Sequence, residues 1–162
     1  MKLEVHKAAT AFLLNWDEKR QQWRIFLIDH KKIGKLIPIG GHVEKGEPTE
    51  KAVVREVLEE IGLKINLFWD SEVAQWVKEP SLYSIQIEKI PSFQREPEHF
   101  HEDYMYVGFL PDMALKSIKT GVKRRLHWIY IDDVISRPKQ YNIFPEILKT
   151  FQGLKILPPP RF

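Results

Sequence analysis

The chain has 162 residues, 43% hydrophobic and 29% charged, which suits one soluble domain with a real core. It contains no cysteine, which excludes disulfides, thiolate zinc sites and cysteine nucleophiles. A formal net charge of +3 is compatible with anionic small molecules, and the scatter of Lys and Arg leaves no nucleic-acid footprint.

The opening segment MKLEVHKAATAFLLNWDEKR carries only a short apolar run, broken by His6 and Lys7, so it reads as neither a signal peptide nor a membrane span. A cytoplasmic protein is the expectation. Val5 to Asn15 reads as a mostly buried strand and Trp16 to Arg20 as a polar turn. From Gln22 to Asp29, Trp23, Ile25 and Leu27 alternate against Arg24, Phe26 and Ile28, a second strand. Both of its faces are partly apolar, which predicts a sheet covered on both sides. His30 to Lys35 is a basic loop, and Leu36 to Ile39 a short extended piece ended by Gly40 and Gly41.

Pro48 stands where the first turn of a helix tolerates proline. Ala52, Val53, Val57 and Ile61 recur at helical spacing and supply its buried side, and Gly62 is a left-handed stop. Beyond it, Lys64 to Phe68 and Glu72 to Val77 are short alternating pieces, and Ser81 to Ile90 is a strand. Pro91 to His101 reads as a loop, because it has two prolines and no period. Asp103 to Leu110 and His127 to Ile131 read as strands, with an irregular stretch from Pro111 to Arg125 between them. Asp132 and Asp133 read as a helix N-cap pair. Phe144 to Phe151 is an amphipathic helix with Gly153 as its stop, and residues 157–162 form an extended tail. The pattern predicts one α/β domain, residues 1–162, built on a mixed sheet with helices on both faces.

Glu56, Glu59 and Glu60 lie three and four residues apart, on one helical face. Like charges at that spacing repel by a few tenths of a kcal/mol per pair in an exposed helix. Arg55 is the only basic side chain among them and does not cancel this fully. An acidic helix face by itself usually means solvated surface, but a hard divalent cation with oxygen ligands also accounts for such a cluster. The wider spacing decides between these. Gly41, Glu47, Arg55, Glu56, Val57, Glu59, Glu60, Gly62 and Leu63 fill every position of G-x5-E-x7-R-E-U-x-E-E-x-G-U, where U is a bulky aliphatic.

That pattern, spanning Gly41 to Leu63, resembles the signature box of the Nudix hydrolases, the MutT-like family, and the preceding Pro38-Ile39-Gly40-Gly41-His42-Val43-Glu44 agrees with it. The resemblance implies a Nudix-type α/β/α sandwich with a mixed central β-sheet. It implies a pyrophosphohydrolase that cleaves a phosphoanhydride bond in a nucleoside diphosphate linked to another moiety, with Mg²⁺ or Mn²⁺ as cofactor. It assigns Glu56, Glu59 and Glu60 to the metal, joined by the main-chain carbonyl of Gly41. Glu56 is either a third ligand or the general base. Arg55, grouped with Glu56 and Glu59 in the catalytic set, braces the loop together with Glu47, while Gly40 and Gly62 shape the box. Glu44, His42, Glu98, His101 and Glu102 are the candidates for contact with substrate.

His99 is a weaker candidate, and Trp16, Trp69, Trp76 and Trp128 are candidates for stacking on a base, although each reads first as core. The expected partner is a small nucleotide, which the family selects through loops outside the box. A homodimer built on the C-terminal helix is one expected arrangement; closure of the sheet by that helix is the other. Nucleic acid is not an expected partner, since an RNA-end substrate needs a basic strip that only Lys31, Lys32 and Lys35 or Lys123, Arg124 and Arg125 could supply. The reading from a different class is a Nudix domain that senses a nucleotide, or acts as a scaffold, without turnover.

Overall fold

The computed structural model describes residues 3–30, 33–67, 82–92, 94, 96–118 and 126–157. Its centre is β1 (Val5–Asp17), whose Ala8, Ala9 and Ala11 to Leu14 are all buried. The C-terminal half of β1 pairs antiparallel with β2 (Gln22–His30), with Leu14 opposite Ile25. Its N-terminal half pairs antiparallel with β4 (Ile39–His42), with Ala9 opposite Gly41. Along its other edge β1 runs parallel to β7 (His99–Phe109), with His6 opposite His101 and Ala8 opposite Asp103. β3 (Lys35–Ile37) and β8 (Leu126–Tyr130) extend the sheet from β2. β5 (Asn66–Leu67) and β6 (Ser84–Ile90) extend it from β7, which makes eight strands in one mixed sheet.

Alternation along β1 sorts the core into two layers. Ala9, Ala11 and Leu13 pack with Ala52, Val53, Val57 and Ile61 of α1 (Thr49–Ile61). Phe12 and Leu14 pack on the opposite face with Val134 of α3 (Ile131–Ser136) and with Ile147, Phe151 and Leu154 of α4 (Pro145–Leu154). Each fully buried Val, Leu, Ile or Phe side chain among these contributes roughly 1.5–3 kcal/mol of transfer free energy. The result is the expected α/β/α sandwich on a mixed sheet. α2 (Asp112–Leu115) is a single turn that follows β7. No helix among the described residues is long and apolar enough to cross a membrane.

Several boundaries differ from the sequence reading. Trp16 and Asp17 belong to β1 rather than a turn, because Trp16 packs on Trp23 at 5.0 Å and Asp17 accepts a 2.6 Å bond from the Tyr130 hydroxyl. The piece from Leu36 to Ile39 is two strands separated by Pro38, which has no N–H to give a ladder. Gly40 and Gly41 do not end it; they lie inside β4, and a Cβ on Gly40 would sit 2.6 Å from the Ala9 carbonyl oxygen. Pro48 is extended and precedes the helix, which starts at Thr49.

β7 begins four residues before the expected Asp103, so the loop after Pro91 is shorter and His99, His101 and Glu102 are strand residues. Pairing of His99 with Ile90 of β6, followed by the parallel ladder with β1 from Phe100, sets that start. Asp132 and Asp133 lie in the first turn of α3, behind Tyr130 as the cap, and there they complement the helix dipole. α4 runs through Gly153, against which the Tyr83 hydroxyl packs where a Cβ would stand. α4 closes the sheet, and Leu157 is tied to it by a 2.9 Å bond from the Trp23 indole N–H to its carbonyl. The expected piece Glu72 to Val77, Trp69, Trp76, the Lys123 to Arg125 cluster and the tail beyond Leu157 lie outside the described residues.

Candidate active site

Ile39 packs into the α1 layer, so alternation along β4 turns Gly41 to the same face and Gly40 and His42 to the opposite one. The Glu56 carboxylate occupies the space over Gly41, where any Cβ would overlap it. Box loop and helix therefore touch through a glycine that no other residue could replace without movement. Gly46 takes a φ of 81° between them, and Gly62 closes α1 with a φ of 71° and a 2.9 Å bond to the Leu58 carbonyl. Thr49, which opens α1, shares a 2.7 Å bond with the Tyr106 hydroxyl of β7 and so anchors the helix start to the sheet.

Arg55 holds this corner together. Its Nε and Nη2 each donate to Glu47 at 3.0 Å, a bidentate pair. Nη1 donates to Glu56 Oε1 at 2.8 Å and stands 3.5 Å from Glu59, and Nη2 also donates to the His42 carbonyl at 3.0 Å. The Glu44 N–H donates to Glu47 at 3.0 Å and completes the loop. The Arg55 hydrogen bond holds the Glu47 carboxyl below its ordinary range, and Glu47 followed by Glu56 raises the already strong basicity of Arg55.

One guanidinium thus serves three carboxylates, more than the local sequence suggests. The glutamates also differ: the Glu56 side chain is 16% exposed and braced, whereas that of Glu59 is 59% exposed. Glu60 follows at the next position and is half-buried. This donor set, all carboxylate oxygens beside a glycine without Cβ, fits a hard divalent cation.

The remaining candidates divide between the two sheet faces. Tyr104 and Tyr106 pack with the α1 layer, so Glu102 shares that face; it accepts a bond from the Tyr104 hydroxyl, and Lys7 Nζ lies 5.6 Å from the Tyr104 ring. Glu98 pairs with Lys89 at 3.0 Å on the rim. Glu44 is exposed.

His42 and His101 lie on the opposite face, where they meet His6 and His99. Burial, followed by the other three imidazoles, pushes His101 down to about 4. Asp103, also on that face, is buried, and burial pushes its carboxyl up to about 6 although the Thr10 hydroxyl donates to it at 2.8 Å. The sequence reading missed this four-histidine group. His99 and His101 stand two apart in a segment that reads as a loop, and His6 and His42 join them only through pairing of β1 with β4 and β7.

Trp16 packs on Trp23, and Trp128 on Phe26 at 4.9 Å, so both act as sheet packing. An open cleft runs beside β8, lined by Leu36, His127, Trp128, Tyr130, Asp133 and Tyr141 among others, with no wall from α1 or β4.

A family model described as the NUDIX domain matches residues 5–151. The fold is similar to a NUDIX-family hydrolase from Clostridium perfringens, 22% identical, with 91% of this chain and 94% of that one covered and a TM-score of 0.62. It is also similar to a MutT protein from Methanosarcina mazei Go1, at 13% identity, 94% coverage of each chain and a TM-score of 0.66. The Ap4A hydrolase of C. elegans is similar at 15% identity, 93% and 96% coverage and a TM-score of 0.58. A search among curated proteins finds no match. With a family match across nearly the whole sheet and its helices, the chain belongs to the Nudix family, hydrolases that act on pyrophosphate bonds and generally use divalent metals.

Proposed function

We propose that this chain is a pyrophosphohydrolase that uses Mg²⁺ or Mn²⁺ to cleave a phosphoanhydride bond in a nucleoside diphosphate linked to another moiety. The observation that carries this reading is the packing of the Glu56 carboxylate onto Gly41 under the Arg55 fork. It sets Glu56 against the box loop, and helical spacing keeps Glu59 and Glu60 on the same side of α1. Glu56, Glu59, Glu60 and the Gly41 carbonyl would hold the ion. When bound, the ion neutralises phosphate charge and activates water.

The protein's own groups do the positioning. Arg55 locks Glu47 and one oxygen of Glu56, so the second Glu56 oxygen has a defined direction. That oxygen either completes the metal site or takes the proton of the attacking water. Glu102 and Lys7 stand on the same sheet face and are the groups outside the box best placed to meet a phosphate chain or a further ion. Glu44 and Glu98 are rim positions. His42 and His101 are reassigned, because their side chains face the other way.

The test is a substrate panel with Mg²⁺ and with Mn²⁺, reading phosphate, pyrophosphate and nucleoside monophosphate separately. The panel includes nucleoside triphosphates, ADP-ribose, NADH and, in view of the similar C. elegans enzyme, Ap4A. Hydrolysis of at least one compound that stops with EDTA is expected. Turnover that EDTA leaves intact sinks the metal mechanism, and tight binding without turnover favours a sensor.

A further inference from the structure

Four of the six histidines in the chain meet on the sheet face turned away from α1. β1 supplies His6, the end of β4 supplies His42, and β7 supplies His99 and His101, two apart and therefore on one face. One ring nitrogen of each lies within 4.8 Å of the others. His101 Nε2 stands 3.1 Å from His42 Nε2 and 3.1 Å from His99 Nε2. Tetrahedral ligands at zinc–nitrogen distances place their nitrogens about 3.4 Å apart, so the His42–His101 and His99–His101 pairs are already near that spacing and a small closure brings in the rest.

Hydrogen bonding among the rings does not account for the arrangement. His99 Nδ1 lies 2.9 Å from the Pro97 carbonyl, which only accepts, so Nδ1 carries the proton and a neutral His99 turns a bare Nε2 lone pair to His101. His101 Nε2 must then donate to His99, which leaves it no lone pair for His42 at the same 3.1 Å. One nitrogen cannot serve both neighbours well. A cation at the centre removes the conflict by accepting a lone pair from every ring. The flanking contacts are those that orient metal-bound imidazoles: a carbonyl behind His99, and the Glu4 carboxylate 3.2 Å from His6 Nε2. With Nε2 engaged by Glu4, His6 would ligate through Nδ1. His99 is 3% exposed, whereas His42 is open to solvent and gives an ion a way in.

We infer that His6, His42, His99 and His101 form a second metal site, for a borderline divalent ion of the Zn²⁺ class, separate from the carboxylate site on α1. Four imidazoles and no carboxylate select Zn²⁺, Ni²⁺ or Cu²⁺ over Mg²⁺ or Mn²⁺. The ion would bind β4 to β7 across β1, directly behind the box loop. It would therefore act as a clamp on the strand that carries Gly41, whose neighbour His42 gives its carbonyl to Arg55.

The experiment is titration of the untagged, metal-free full chain with Zn²⁺, Ni²⁺ and Mg²⁺ by calorimetry and thermal unfolding, with Co²⁺ absorption as a spectroscopic probe. One Zn²⁺ per chain at micromolar or tighter Kd, a raised Tm, and a tetrahedral Co²⁺ spectrum are expected. All three should persist in the combined Glu56→Gln, Glu59→Gln, Glu60→Gln variant, which isolates this site from the catalytic one. His42→Asn and His6→Asn, both at accessible positions, should each weaken Zn²⁺ at least about tenfold. The inference is overturned if Zn²⁺ binds more weakly than micromolar, or if its binding is lost with the glutamates and survives in both histidine variants.

Discussion

The two faces of the sheet around β1 gather opposite chemistries from neighbouring residues. On the α1 face, Glu47, Glu56 and Glu59 share the Arg55 guanidinium, and Glu102 stands with Tyr104. On the other, His6, His42, His99 and His101 converge beside a buried Asp103. Adjacent residues go to opposite faces: Gly41 to the carboxylates and His42 to the imidazoles. The α1 face is braced by charge pairing, while the other buries His99 and Asp103 and leaves His42 open to solvent. The Arg55 pair favours the ionised form of Glu47, whereas burial disfavours the charged form of His101; carboxylate oxygens suit hard cations and imidazole nitrogens softer ones.

If the carboxylate face is the catalytic one, Glu59→Gln and Glu60→Gln should each lower kcat at least about a hundredfold, roughly 2.7 kcal/mol of barrier. Circular dichroism should show the fold unchanged. Glu59 is exposed and its contact with Arg55 is 3.5 Å long, so its variant should shift Tm only slightly. A large unfolding effect would mean the glutamates serve stability instead.

Gly41→Ala tests the junction between the faces. The added methyl would overlap the Glu56 carboxylate, so activity should fall more than tenfold even where Tm falls little. Retention of full activity would remove the Gly41–Glu56 contact from the site.

Arg55→Lys keeps the charge and discards the fork to Glu47. A loss of about 1–2 kcal/mol in stability is expected, since these charged hydrogen bonds are partly solvent-exposed. Denaturant unfolding measures it, and an unchanged midpoint would show the fork to be incidental.

The smallest effect is on the imidazole face and is read in metal-free buffer. His101 titrates near 4 when folded and near 6.5 when unfolded, so acidification loads the unfolded chain first and stability falls across that interval. Asp103 does the opposite. Its folded carboxyl binds a proton near 6 and its unfolded one near 3.8, so its contribution is present at low pH and is lost as pH rises through 6. His101→Asn should flatten the acid limb of a Tm-against-pH profile, and Asp103→Asn should deepen it. A profile identical in all three proteins would contradict this placement of the two groups.

The α1 segment was legible residue by residue. Ala52, Val53, Val57 and Ile61 are the buried stripe, and Gly62 is the left-handed cap, because helical period and capping are local properties. The bracing role of Arg55 was legible too, but its reach to Glu59 and to the His42 carbonyl depends on how the loop folds back over the helix. The start of β7 was misread for a related reason. His99 to Glu102 carry no clear period of their own and become strand by pairing with Ile87 to Ile90 on one edge and, from Phe100, with Val5 to Lys7 on the other. Gly153 reads locally as a stop, and the contact that requires a glycine there, Tyr83, is 70 positions away.

What the sequence determined by itself is the chemistry of one helix and its loop: which residues carry charge, which are buried, and which glycines must stay small. These follow from spacings of three, four and five residues, which the chain satisfies wherever it folds. Tertiary structure alone decided which face each candidate serves. A strand turns successive side chains to opposite sides, so a single residue of register separates Gly41 from His42, and parallel pairing brings His6 to His101 across 95 positions. No local pattern encodes that pairing, which sets His42 and His101 beside His6 and His99 on the face turned away from α1.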